Sequence, residues 1–259
     1  MKGGFGGDVA SYYAQYRRGY PVAVVDALVD TLGLSASDTI VDIGCGTGQL
    51  TLPLANRVGR AIGIDLEADM LRHADTAARE RRTSNVEWIL GSADDLVAIA
   101  APYGGVEAVT LANSIHLVDR AQLFAAARTA LSPRGSLSII ANGHPLWLQD
   151  TAWSHALKTF LERWSGITLT GHCGTDDETR SAYRHEMTAV GYVVEEVRVD
   201  YTDTLTLDQI VGGVFSALSA RIPAAGDRNR FAADVARALA DSAPYAEHVP
   251  VRVLIGHLR

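Results

Sequence analysis

The sequence predicts a doubly wound α/β fold, and three observations predict it. Short apolar runs of strand length alternate with stretches of helical periodicity. The first such run ends in three alternate glycines, Gly44, Gly46 and Gly48. The second ends in an acid, Asp65, 23 residues after Asp42. A glycine turn at one strand tip and an acid at the next place a ligand at the carboxyl ends of parallel strands.

The elements follow in order. Pro21 opens a helical stretch in which Val22, Val25, Leu28, Val29 and Leu32 share one face, and Gly33 closes it. Strands are expected at residues 39–43, 60–64, 86–90, 106–112 and 136–141, with helices at 49–57, 67–79, 93–100 and 119–131 between them. Ser132-Pro133-Arg134-Gly135 reads as a turn. The rhythm then changes. Residues 144–175 hold Trp147, Trp153 and Trp164, three of the four tryptophans, and read as an inserted helical cap. A helix at 177–190 ends at Gly191, and strands at 192–201 and 249–258 follow. Residues 203–248 separate these strands by more than a plain loop and carry helical patterns at 207–219 and 228–239, a second cap insertion. With no internal repeat and no linker, residues 1–259 read as one domain.

Composition narrows the function. A hydrophobic content of 47% in 259 residues supports a substantial core. No run reaches the ~20 apolar residues of a membrane span. Residues 1–7 lack an apolar signal region and read as a flexible tip. Two cysteines, Cys45 and Cys173, form no disulfide framework, so a reducing, cytoplasmic setting is expected. Cys and His show no zinc-site spacing, so no metal is expected. Of the net charge of −7, most lies between His172 and Asp208, where nine acids face three arginines. That argues against a nucleic-acid partner. It suits a cationic small molecule, or equally a solvated acidic face. The oligomeric state is left open.

The glycine spacing selects among nucleotide loops. A phosphate-binding P-loop needs a Lys after its last glycine, and Gln49 stands there. A dinucleotide fingerprint needs G-x-G-x-x-G. Asp42, two residues before the first glycine, would repel a pyrophosphate and suit a cation. An acid at the second strand tip, Asp65, suits ribose hydroxyls in either case.

The pattern Asp42-x-Gly44-x-Gly46-x-Gly48 resembles motif I of class I S-adenosylmethionine (SAM) methyltransferases. Tyr13-Ala14-Gln15-Tyr16-Arg17-Arg18-Gly19-Tyr20-Pro21 resembles the Y-x-x-Y-R-P-x-Y-P segment of their small-molecule branch, with Arg18 in place of its first proline. Residues 206–212, Thr-Leu-Asp-Gln-Ile-Val-Gly, resemble a helix of the same branch. The resemblance implies a Rossmann-like, seven-stranded sheet with SAM as cofactor. It implies that Asp42, Gly44, Cys45, Gly46 and Gly48 border the cofactor, that Leu66 and Met70 flank adenine, and that Ala93 and Asp94 meet its amino edge. Asn113 and Ser114 would hold the methionine end, with Arg17 on its carboxylate and Tyr13 as a lid. His116 would take the acceptor's proton. His144, Trp147 and His172, in the variable cap, are substrate-pocket candidates. The favoured acceptor is an amine of an aminoglycoside-type aminosugar in antibiotic biosynthesis. The alternatives are O- or C-methylation of a neutral small molecule, an NAD(P)-dependent oxidoreductase, and a catalytically silent SAM-binding protein.

Overall fold

The computed structural model describes residues 4–172, 174–218 and 223–258. Its strands are β1 (Thr39–Ile43), β2 (Arg60–Asp65), β3 (Val86–Leu90), β4 (Val106–Ala112), β5 (Leu131–Asn142), β6 (Tyr192–Leu205) and β7 (Tyr245–Leu258). They form one sheet in the order β3-β2-β1-β4-β5-β7-β6. β1 to β5 run parallel, and β7 is antiparallel to both β5 and β6. This is the expected seven-stranded, doubly wound α/β sheet. The order reverses between β1 and β4, so the crevice outside their carboxyl ends is the topological switch point.

The helices are α1 (Asp8–Tyr16), α2 (Val22–Leu32), α3 (Thr51–Ala55), α4 (Ala68–Glu80), α5 (Leu96–Ala100), α6 (Arg120–Ala130), α7 (Ala152–Ser165), α8 (Asp177–Ala189), α9 (Leu207–Ala217) and α10 (Arg228–Ala238). Local chemistry sets their ends. Asp119, Thr151, Asp176 and Thr206 accept from backbone amides at the starts of α6, α7, α8 and α9. Gln209 completes a capping box with Thr206. Alternation along β1 sends Ile40 into one apolar layer, with Val24, Leu28 and Leu54, and Val41 and Ile43 into the other, with Leu96, Phe124 and Met187.

A third apolar cluster joins the two insertions. Trp153, Leu157 and Leu161 of α7 pack with Ile210, Val214 and Phe215 of α9 and with Phe231 and Val235 of α10. Trp153 Nε1 also donates to the Ala246 carbonyl at 2.7 Å. Helix α1 lies against α9 because Gly212 leaves room. A Cβ there would stand 2.1 Å from the Tyr16 ring.

Four expectations change. β5 begins at Leu131, yet pairing jumps from Leu131–Val106 to Ser136–Ala108, so Ser132–Gly135 is a bulge within the strand rather than a turn before it. Pro133 has no N–H to give to a ladder. β6 and β7 are each longer than expected, because residues 202–205 pair with 245–248 and continue the ribbon past the edge of β5. Residues 8–16 form a helix the periodicity did not single out. The glycine-rich start is tethered: Glu67 Oε1 accepts from the amides of Gly4 and Phe5 at 2.7 and 3.2 Å, and Asp69 accepts from Gly7. Residues 1–3, Cys173 and residue 219 lie outside the described residues.

Candidate active site

The glycine loop runs from the tip of β1 into α3, with φ of 67, 55 and 80° at Gly44, Gly46 and Gly48. The left-handed region is open to a residue without Cβ. The amides of Gly44 and Cys45 donate to the Ile64 carbonyl at 2.8 and 3.1 Å. Gly46 donates to Asp65 Oδ2 at 2.9 Å, and Gly48 to the Cys45 carbonyl at 3.0 Å. A pyrophosphate needs free amides at such a turn. These four already donate inside the protein, which fits a cofactor without phosphate.

Asp42 is buried, and both its oxygens are engaged: Thr51 Oγ1 donates at 2.6 Å and Thr110 Oγ1 at 2.7 Å. Burial pushes its carboxyl up to about 6, while those two hydrogen bonds pull the other way. It reaches a ligand through its field more than by contact. Asp65 accepts from Gly46 and, through Oδ1, from Glu67 N at 2.9 Å. Burial raises its pKa and the two amides oppose the rise. Each oxygen keeps a lone pair for a hydroxyl. Burial also holds the Cys45 thiol well above its ordinary value, so it stays protonated.

One cavity of about 600 Å³ connects these strand tips to the cap. Of the expected cofactor residues, Tyr13, Arg17, Asp42, Gly44, Cys45, Gly46, Asp65, Leu66, Met70, Asn113 and Ser114 line it. Gly48, Ala93 and Asp94 do not, and neither does His172 of the expected substrate pocket. Gly48 packs instead toward Trp88 and Leu52. Ala93 and Asp94 lie in a short 3₁₀ turn capped by Ser92, with Ala93 buried and Asp94 exposed.

At the other end of the glycine loop, Asn113 adopts φ 54°, a conformation asparagine tolerates, and its Oδ1 accepts from Asn142 N at 3.0 Å. Ser114 Oγ donates to the Ile43 carbonyl at 2.9 Å. Arg17 places its guanidinium 5.1 Å from the Tyr13 ring centre and donates through Nε to Ser216 Oγ at 2.9 Å. The rest of its fork faces the cavity without an acid partner among the described residues, free for a carboxylate. Burial raises the Tyr13 pKa, with Arg17 lowering it. Tyr13 is therefore a neutral cover beside the loop. Carboxylates at the strand tips, a guanidinium without an acid partner among the described residues and loop amides already in use fit a cofactor bearing a sulfonium, an ammonium and a carboxylate.

His116 lines the cavity on a 3₁₀ turn after β4, solvent-exposed and with no hydrogen-bond partner among the described residues. Desolvation lowers its pKa. His144 and buried Trp147 also line the cavity, below the cap. His172 is exposed and lends only its carbonyl, to Thr175.

The acidic segment does not form a patch at the cavity. Glu186 forks onto Arg120 at 2.6 and 2.8 Å, and Glu196 pairs with Arg184 and Arg198 at 3.1 and 3.2 Å. Asp200 pairs with Arg252, Asp177 with Arg180, and Glu195 with His257. Asp176 caps α8, and Glu178 and Asp208 sit in first helical turns. Of the nine acids, only Asp203 lines the cavity.

Several lining residues escaped the sequence reading: Phe5 and Glu67 from the tethered arm and the start of α4, and Asn142, Tyr201, Asp203 and Leu205 from strand ends. Their signal was positional, a strand tip or its extension. Among the described residues, no group of three or more His, Cys, Asp or Glu is placed to hold a metal ion.

Residues 40–135 match the model of the methyltransferase domain. The chain is 31% identical over 142 residues to 2-phytyl-1,4-naphtoquinone methyltransferase of Thermosynechococcus vestitus, covering 52% of this chain and 59% of that protein. It is 38% identical over 71 residues to a 23S rRNA (uracil-C5)-methyltransferase of Haemophilus parainfluenzae, covering 27% of this chain and 16% of that protein. The chain thus spans less than two thirds of the length of these relatives. Among solved structures, a candidate type II methyltransferase of Anaeromyxobacter dehalogenans superposes with TM-score 0.62 at 19% identity, covering 93% of this chain and 98% of that one. Geranyl diphosphate C-methyltransferase of Streptomyces coelicolor, solved with Mg²⁺, geranyl-S-thiolodiphosphate and S-adenosyl-L-homocysteine, gives 0.50 at 21% identity, covering 91% and 76%. At such identities the likeness is one of fold. Residues 40–135 match a methyltransferase domain, and the fold that carries them is one that solved methyltransferase structures share.

Proposed function

We propose that this protein transfers a methyl group from SAM to a small, largely apolar acceptor. The observation that carries the reading is the single cavity that touches both Asp65 and Leu66 at the β2 tip and Trp147 and Leu205 under the cap. Its volume is in the range of roughly 300–1,000 Å³ typical of small-molecule sites. Asp65 would hold the ribose, Leu66 and Met70 the adenine, and Arg17 the carboxylate. When bound, the cofactor supplies an electrophilic methyl on sulfonium sulfur. The chain's task is to align the acceptor with it and to exclude water. The cap serves the second purpose through its own apolar core.

The acceptor end is lined by Tyr16, Leu117, Leu146, Trp147 and Leu205, so an apolar body fits it better than a polycation. This favours O- or C-methylation of a neutral molecule. An amine acceptor, such as an aminoglycoside-type aminosugar in antibiotic biosynthesis, is a second reading that rests on Asp203. RNA fits poorly, given the net charge of −7 and a cavity lined by Asp42, Asp65, Glu67 and Asp203.

Calorimetry with S-adenosylhomocysteine and NAD, followed by transfer of labelled methyl to phenolic, isoprenoid and aminosugar panels, tests both levels. Binding of S-adenosylhomocysteine with transfer to an apolar hydroxyl or carbon is expected. Transfer to aminosugars alone would replace the acceptor class, and binding of NAD alone would overturn the reading.

A further inference from the structure

The geometry points to His144, oriented by Thr175, as the residue that accepts the acceptor's proton, an inference that rests on the methyl-transfer reading above. His144 follows the end of β5 and lines the cavity. Its Nδ1 lies 3.4 Å from Thr175 Oγ1. The single hydroxyl proton of Thr175 is already directed at the His172 carbonyl, at 2.7 Å. With its proton so placed, Thr175 Oγ1 accepts from the ring, which selects the tautomer with the proton on Nδ1. Nε2 is left with a lone pair and, among the described residues, no hydrogen-bond partner. A base held by a third group is the arrangement of an activated general base. The long contact is of the kind that tightens when substrate binds.

The surroundings keep this ring neutral. Burial lowers its pKa first, and His172, Arg180 and Arg252 lower it further against Asp177. Thr175 is buried and lines the same cavity as His144. His116 has the same access to the cavity but nothing that selects its tautomer.

In the step itself, the acceptor's O–H or N–H proton passes to Nε2 and gives the imidazolium. The acceptor's freed electron pair forms the bond to the methyl carbon, and the carbon–sulfur pair stays on sulfur. The proton then leaves to solvent.

Two measurements test the assignment. Nitrogen-15 NMR of the histidine rings in the wild-type protein reads the tautomer without turnover. His144 is expected as Nδ1–H, and Thr175→Val should shift it toward Nε2–H. An Nε2–H ring in the wild type overturns the proposal. In methyl-transfer assays, His144→Gln should lower kcat by about 100-fold or more with KM within about threefold. Thr175→Val should lower kcat about tenfold and shift the acid limb of the pH profile. Unchanged kcat in His144→Gln, with the wild type active, overturns the base and leaves the methyl-transfer reading intact. A wild type that binds S-adenosylhomocysteine but methylates no acceptor overturns both.

Discussion

Arg18 Nη1 stands 2.6 Å from Glu247 Oε1, and Arg18 Nη2 donates to Glu247 Oε2 at 2.9 Å, tying the segment before α2 to the last strand. Gln149 Nε2 donates to the same carboxylate at 2.7 Å. The Glu247 side chain is fully buried, so its charge depends on these donors. Arg18 stands where the Y-x-x-Y-R-P-x-Y-P pattern that this segment resembles has its first proline, and here it forms this pair. Removing one partner leaves an uncompensated charge. Arg18→Ala should cost about 3 kcal/mol by chemical denaturation. Arg18→Ala with Glu247→Leu should cost clearly less than the sum of the single changes. Additive losses would show that the two residues act independently.

Asp42 predicts a pH dependence of stability. Its folded carboxyl titrates at about 6, against 3.8 for the unsupported group. Between those values the folded state holds a proton the unfolded state has shed. The contribution of Asp42 to stability therefore falls as pH rises through this window and is level above it. A two-unit shift corresponds to about 3 kcal/mol. Asp42→Asn should flatten the dependence in urea melts at pH 4.5, 6 and 8. It should gain less than that at pH 8, since Thr51 or Thr110 loses an acceptor. An equal slope in mutant and wild type would refute the assignment.

Gly44 is held by its conformation and by Ser114. Its φ is 67°, and a Cβ there would lie 2.7 Å from Ser114 Cβ. Gly44→Ala forces the left-handed region at about 1–2 kcal/mol and displaces Ser114 from the Ile43 carbonyl. The Kd for S-adenosylhomocysteine should rise at least about tenfold by calorimetry. Gly171→Ala, where a Cβ meets nothing within 4 Å and φ is ordinary, should stay within about 0.5 kcal/mol of wild type. Equal effects at the two positions would contradict a specific role for the loop.

Glu67 clamps the amino-terminal arm, from which Phe5 reaches the cavity. Glu67→Ala removes the acceptor for two amides and should free residues 4–6, ahead of the Gly7 amide that Asp69 holds. Limited proteolysis should cut there faster, and S-adenosylhomocysteine should dissociate several-fold faster. An unchanged digestion pattern would mean that Asp69 and α1 hold the arm without Glu67.

The legible parts of this protein were local ones. β1, β3 and β4 begin and end where the apolar runs do; β1 and β4 are buried within the sheet, while β3 forms its edge with Glu87 and Leu90 exposed. The glycine loop was legible because a turn needing left-handed residues admits few side chains. The ends of β6 and β7 were not, since polar residues such as Thr202 and Glu247 pair there only because each strand has the other beside it.

Charge marks the boundary most sharply. Counted along the chain, nine acids between His172 and Asp208 look like a patch for a cation. In space, Glu186 meets an arginine 66 residues away and Asp200 one 52 residues away, so part of the excess is offset by partners outside the segment, and of the nine acids only Asp203 lines the cavity. By itself the sequence determined the doubly wound sheet, the loop at its switch point and the acid at the next strand tip, because each depends on residues within a few positions of one another. Only the tertiary structure decided which loop amides are already engaged, which acids reach the cavity and which histidine meets a threonine hydroxyl. Those depend on partners brought together from distant segments, and no spacing along the chain records them.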